Sequence, residues 1–142
     1  LKIKKIRIDK LYFQYKPDNF VRDLFPGKEE DMLRVDNSPH FKFAKLYQKI
    51  GKNILQEYKY TDYIKLMIAW GRDDKHNLWK VKRFVKTYDS IKSKGFKRHI
   101  TVVKEPIHKK FFKKGYEISH GHHRAAICSS LGLTRISCQI KE

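Results

Sequence analysis

The sequence predicts an α+β domain: a small mixed sheet packed with helices, with a strand-and-helix extension at its N-terminal end. Three observations carry that expectation. Short β-branched or alternating runs occur at residues 3–8, 100–103 and 135–140. Between them lie stretches whose apolar residues repeat at three and four positions, bounded by Ser, Thr or Asp before and Gly after. A chain of 142 residues that is 40% apolar suits one core and a single domain over residues 1–142.

Taken in order, residues 3–8 and 11–15 read as strands, with Ile6 and Ile8 alternating with charge and Leu11, Tyr12 and Phe13 favouring extended backbone. Pro17, Pro26 and Gly27 interrupt any regular structure beyond them, so residues 16–37 are expected to form an irregular loop with one helical turn near residues 19–24. Ser38-Pro39 is a helix start, with Ser as N-cap and Pro in the first position. Phe43, Leu46, Tyr47 and Ile50 then form a helical stripe that stops at Gly51. His40, in the first turn, reads first as an ordinary surface histidine and second as a site residue. Residues 53–60 read as a linker with a short amphipathic stretch. Thr61 or Asp62 caps a helix over residues 63–70, with Ile64, Met67 and Ile68 as core candidates.

The polar turn after Gly71 leads to a helix over about residues 78–94, capped by Asp74 or Asn77. Its stripe is Leu78, Val81, Val85 and Tyr88, with Phe84 and Ile91 beside it and Lys80, Lys82, Arg83 and Lys86 on the remaining faces. Residues 100–103 read as a buried strand, 107–114 as a basic, aromatic loop, 115–119 as a strand, 122–131 as a helix and 135–140 as the closing strand.

Composition excludes several classes. No apolar run approaches ~18 residues, so no membrane span is expected. The first residues carry no secretory-signal pattern, and a start at Leu1 reads as a trimmed chain. Cys128 and Cys138 are too few for a disulfide framework and lack a CxxC spacing, so buried, reduced thiols and a cytoplasmic protein are expected. Residues 1–70 hold 15 Lys and Arg against 9 Asp and Glu, or +6, whereas residues 71–142 hold 18 against 6, or +12. That bias attracts polyanions, although a lysine-rich surface also arises for solubility alone.

The stretch from Tyr116 to Cys128 is the chemical centre of the chain. It reads as a strand, a turn at Gly121 and a helix from about His122, with His120, His122, His123 and Arg124 crowding the turn. A strand entering a helix through glycine aims free amides and the positive dipole end at one spot, a ready anion site. His and Arg add charge-assisted hydrogen bonds and proton-transfer capacity.

Residues of about 85–141 resemble the ParB/sulfiredoxin superfamily. The similarity is carried by a helix, Ser90-Ile91-Lys92 and Gly95, the strand Ile100-Thr101-Val102-Val103, Tyr116-Glu117-Ile118, Gly121-His122-His123-Arg124-Ala125-Ala126, Gly132 and the last strand. The first 70 residues form an extension of unassigned type, and residues 71–142 the ParB/sulfiredoxin-like core. The corner looks most similar to the Gly-His-His-Arg version found in free-serine kinases. It departs from its relatives in three places: His122 stands where sulfiredoxins carry their nucleophilic Cys, His120 where the kinases carry Asp, and His99 where a proline usually precedes the first core strand.

The resemblance implies a bound nucleotide, ATP or another, with Gly121, His122, His123, Arg124 and His120 around its phosphates. It also implies Mg²⁺ through metal ligands it leaves undefined, and catalytic roles for His122, His123 and Asp74. Asp74 lies just ahead of the long helix, where the kinases place an acidic residue, and equally suits an N-cap. The function expected is that of a kinase-like phosphotransferase on a small molecule or polysaccharide precursor. The alternative is a DNA- or RNA-binding module or nuclease, favoured by the net charge of +18 and the Lys and Phe residues at 109–114. A hydrolase with a metal held by His120, His122 and His123 is disfavoured, because neighbouring residues point in different directions.

Overall fold

The computed structural model describes residues 2–13, 24–26, 33–104 and 115–141. The basic, aromatic segment 107–114, residues 14–15 of the second expected strand and most of the loop at 16–37 lie outside the described residues.

Five strands form one mixed sheet: β1 (Lys2–Arg7), β2 (Leu11–Phe13), β3 (Ile100–Val103), β4 (Tyr116–His120) and β5 (Arg135–Lys141). Their order is β1-β5-β3-β4-β2. β1 pairs antiparallel with β5, β5 parallel with β3, β3 antiparallel with β4, and β4 parallel with β2. The α+β expectation is met. The two N-terminal strands are the edges of this same sheet, one on each side.

Alternation in the central strands sets the core face. Ile100, Val102, Ile118, Ile136 and Cys138 are buried, while Thr101, Ser119, Ser137 and Gln139 stay partly exposed. β3 and β4 slip register between Thr101, which faces His120, and Val102, which faces Ile118. Ser119 is therefore the extra residue of a bulge just before the strand ends, a device that re-aims the side chains after it.

Four helices of eight or more described residues cover the core face: α1 (Pro39–Ile50), α2 (Asp62–Ala69), α3 (Asp74–Lys94) and α4 (His122–Ser130). α1 starts as its sequence dictates: Ser38 Oγ accepts from the Phe41 amide at 3.1 Å, with Pro39 next. Its buried face is His40, Phe43, Ala44 and Tyr47. Thr61 caps α2, accepting from the Ile64 amide at 3.4 Å. Residues 53–60, expected as a linker, coil through short helical turns that bury Ile54 and Tyr58. Phe43 and Phe84 meet edge to face at 4.9 Å, which locks α1 to α3. Gln48 Nε2 donates to the Ser130 carbonyl at 2.8 Å and ties α1 to the end of α4.

The start of α3 corrects the sequence reading. The helix begins at Asp74 rather than near residue 78, and its cap is Asp73, whose Oδ1 accepts from the His76 amide at 2.8 Å. Neither Asp74 nor Asn77 caps it. The first turn has no apolar stripe to announce it, because the inward position one turn before Val81 is held by Asn77, which is fully buried. The cap assignment gives a direct test. Asp73→Ala should lower unfolding stability by about 1 kcal/mol. Asp74→Ala, which removes only an exposed charge near the dipole, should lower it by less than about 0.5 kcal/mol. Urea titrations of both variants would show it, and equal losses would refute the assignment.

Candidate functional site

The corner after β4 is built by one backbone conformation. Gly121 sits at φ +108, ψ 26, a region closed to most L side chains. A Cβ there would lie 2.5 Å from Ile100 Cγ2, inside the core strand beside it. Gly121 is thus demanded twice, by torsion and by space. It is also the N-cap of α4 and has no side chain with which to cap. The first-turn amides of His122, His123 and Arg124 are left to other acceptors.

Side chains leave this corner in three directions. His122 packs edge to face on Phe13 at 4.9 Å, and its ring hydrogen-bonds to the Ile118 backbone. His123 turns toward the helices, its Nε2 2.7 Å from the Tyr63 hydroxyl and its ring 5.7 Å from Phe84. Arg124 leans to the start of β3 and donates to the His99 carbonyl at 3.3 Å. His120, the last residue of β4, is exposed. The expected phosphate-binding set is therefore assembled around one corner, but its members do not converge on a single atom.

A fourth imidazole joins them. His40 is only 2% exposed, so the reading of it as a surface histidine is wrong. Its ring lies 4.8 Å from that of His123 and 6.3 Å from that of His122, with Phe13 at 5.1 Å and Tyr63 at 5.0 Å. The N-cap geometry at Ser38 explains this: a helix that starts there turns its second residue inward with Phe43 and Tyr47. Three imidazoles thus share a box walled by Phe13, Tyr63 and Phe84.

Burial dominates their protonation. It holds His122 down to about 4 and His123 down to about 3, and pushes His40 well below the ordinary value. Nearby positive charge adds to the effect: Lys80 acts on both His40 and His123, and Arg83 and Arg124 act on His123. All three rings are neutral at pH 7. Burial also keeps the Tyr63 phenol protonated. A phenol donating to Nε2 leaves the His123 proton on Nδ1.

The fixed positive charge belongs to other residues. Burial, then Arg83 and Arg72, disfavour the charge on Lys80, and burial, then Arg98, disfavour that on Arg124. Among the described residues none of these five cations forms a salt bridge. Sequence reading placed Lys80 and Arg83 merely on remaining helix faces. What would have revealed them is their nearness to His123, 40 or more positions downstream.

Asp74 is exposed in the first turn of α3. It stands six residues before Lys80, or roughly 9 Å along the axis. Glu117, the acidic residue of the corner segment, is fully buried in β4. Among the described residues no group of three or more His, Cys, Asp or Glu is arranged to hold a metal ion. Cys128 and Cys138 are buried and free, and burial pushes both thiols up to about 12, which marks them as packing groups. No described helix is long and apolar enough to cross a membrane.

No family model, curated protein or solved structure matches this chain.

The neutral cluster has a consequence for pH dependence. An unfolded histidine titrates near 6.5. Between that value and the depressed values in the fold, the unfolded chain binds protons that the folded chain refuses. The contribution is complete above about pH 6.5 and is lost as pH falls, at up to about 1.4 kcal/mol per pH unit for each histidine held neutral. His123→Gln should therefore flatten the rise in stability between about pH 4.5 and 6 by roughly that amount. Denaturant titrations at several pH values would measure it, and an unchanged slope would show that His123 is not held neutral.

Proposed function

We propose that this protein binds a nucleotide through its phosphates at the Gly121 corner and acts as a phosphotransferase on a small molecule or polysaccharide precursor. One observation carries the reading. Lys80, Arg83 and Arg124 bring positive charge to bear on His123, with Arg72 acting on Lys80 and Arg98 on Arg124; none of the five has an ion-pair partner among the described residues, and Lys80 and Arg124 are partly buried. Like charges held together repel, and a multivalent anion removes that penalty. The first-turn amides of α4 and the positive end of its dipole add to the attraction. The order of α3, β3, β4, corner, α4 and β5 also agrees with the resemblance to ParB/sulfiredoxin proteins, in which the same corner grips phosphates.

Each part of the site has a chemical task on this reading. Arg124, Lys80 and Arg83 neutralise charge on the transferring group as it moves. His122, neutral at rest, is in the right form to accept a proton from an acceptor hydroxyl, while His123, whose Nε2 accepts from Tyr63, holds the ring cluster in place. Charge on the resulting imidazolium is then balanced by the phosphates beside it. A Mg²⁺ held by protein side chains does not fit the described residues of the corner, which are cations and neutral rings rather than carboxylates.

Isothermal titration with ATP and ADP is the test. The parent protein should bind in the micromolar range with an affinity that falls as salt rises, and Arg124→Ala should weaken binding about tenfold or more. An Arg124→Ala protein that binds as tightly as the parent would reject the site.

A further inference from the structure

His76, Trp79, Lys80 and Arg83 stand at i, i+3, i+4 and i+7, one face of α3. Trp79 is 51% exposed, unusual for a large aromatic residue in a helix whose inward face is already filled. Lys80 Nζ lies 5.6 Å and the Arg83 guanidinium 5.3 Å from the Trp79 ring centroid. These are the cations whose charge acts on His123 in the corner. The His76 ring is 5.8 Å from that of Trp79, and its Nε2 is buried without a hydrogen-bond partner among the described residues. A half-open indole, two unpaired cations and an unsatisfied ring nitrogen therefore run from the phosphate corner along one helix face.

We propose that this stripe is the nucleobase end of the site: Trp79 is the stacking platform for the base of a mononucleotide whose phosphates lie at the Gly121 corner. Lys80 and Arg83 join the two ends, since each packs over the indole and its charge acts on His123. An anion drawn to them brings its attached base to the half-exposed indole, where stacking is tolerant of base identity. This assignment rests on the phosphate-binding reading and extends it to the part of the ligand that phosphate contacts do not recognise.

The test exploits the fact that the chain has only two tryptophans. In a Trp70→Phe protein, fluorescence reports on Trp79 alone. ATP should quench it saturably. Inorganic tripolyphosphate, which lacks a base, should compete with ATP while leaving the emission largely unchanged. Trp79→Ala in the otherwise native chain should weaken ATP about tenfold and leave tripolyphosphate affinity unaltered, with an unchanged melting temperature confirming the fold. If Trp79→Ala binds ATP as well as the parent, or loses tripolyphosphate equally, the stacking assignment is wrong while the phosphate corner stands. If neither ATP nor tripolyphosphate binds, both readings fall. Quenching by a single-stranded oligonucleotide but not by ATP would overturn the mononucleotide assignment in favour of a nucleic-acid surface.

Discussion

Everything at the corner between β4 and α4 depends on a backbone reversal for which only glycine has room. β4 ends at His120 and α4 begins at His122, so a single residue turns the chain, and it does so at positive φ against the side of Ile100. The contact with Ile100 ties the corner to β3, in the middle of the sheet. The helix N-terminus is consequently aimed by the core itself rather than by a loop that could relax. The bulge at Ser119 completes the arrangement by shifting the strand just before it turns.

A second constraint is electrostatic. His40, His122 and His123 are packed among Phe13, Tyr63 and Phe84 and ringed by positive charge, with the Tyr63 hydroxyl as a polar anchor. Burial and repulsion act in the same direction on each ring, so the cluster is neutral and the formal charge of the corner lies with lysine and arginine. The cations themselves lack ion-pair partners among the described residues. A surface built in this way lowers its own energy when an anion arrives.

Much of this was legible in the sequence, and the failures share one cause. The Ser38-Pro39 start, the strand–Gly121–helix corner and the β-branched strand at 100–103 are local signals, and each lies where expected. What depends on distant partners was not readable. Nothing near His40 in the chain announces the imidazole of His123, and Tyr63 hydrogen-bonds a residue 60 positions away. The parallel pairing of β2 with β4 places Phe13 under His122, though more than 100 residues separate them. The early start of α3 was hidden by a buried polar residue, Asn77, at a position where an apolar one would have extended the stripe. Side-chain chemistry at the corner was thus apparent, whereas its protonation state and its cationic wall on α3 emerged only from packing.

On the proposed reading, the amides of the first turn of α4 receive an anion. Backbone ¹H–¹⁵N spectra recorded during titration with inorganic phosphate test it most directly. The largest, saturable shifts should belong to the amides of His122, His123 and Arg124. Small shifts scattered over surface lysines, with these three amides unmoved, would contradict it.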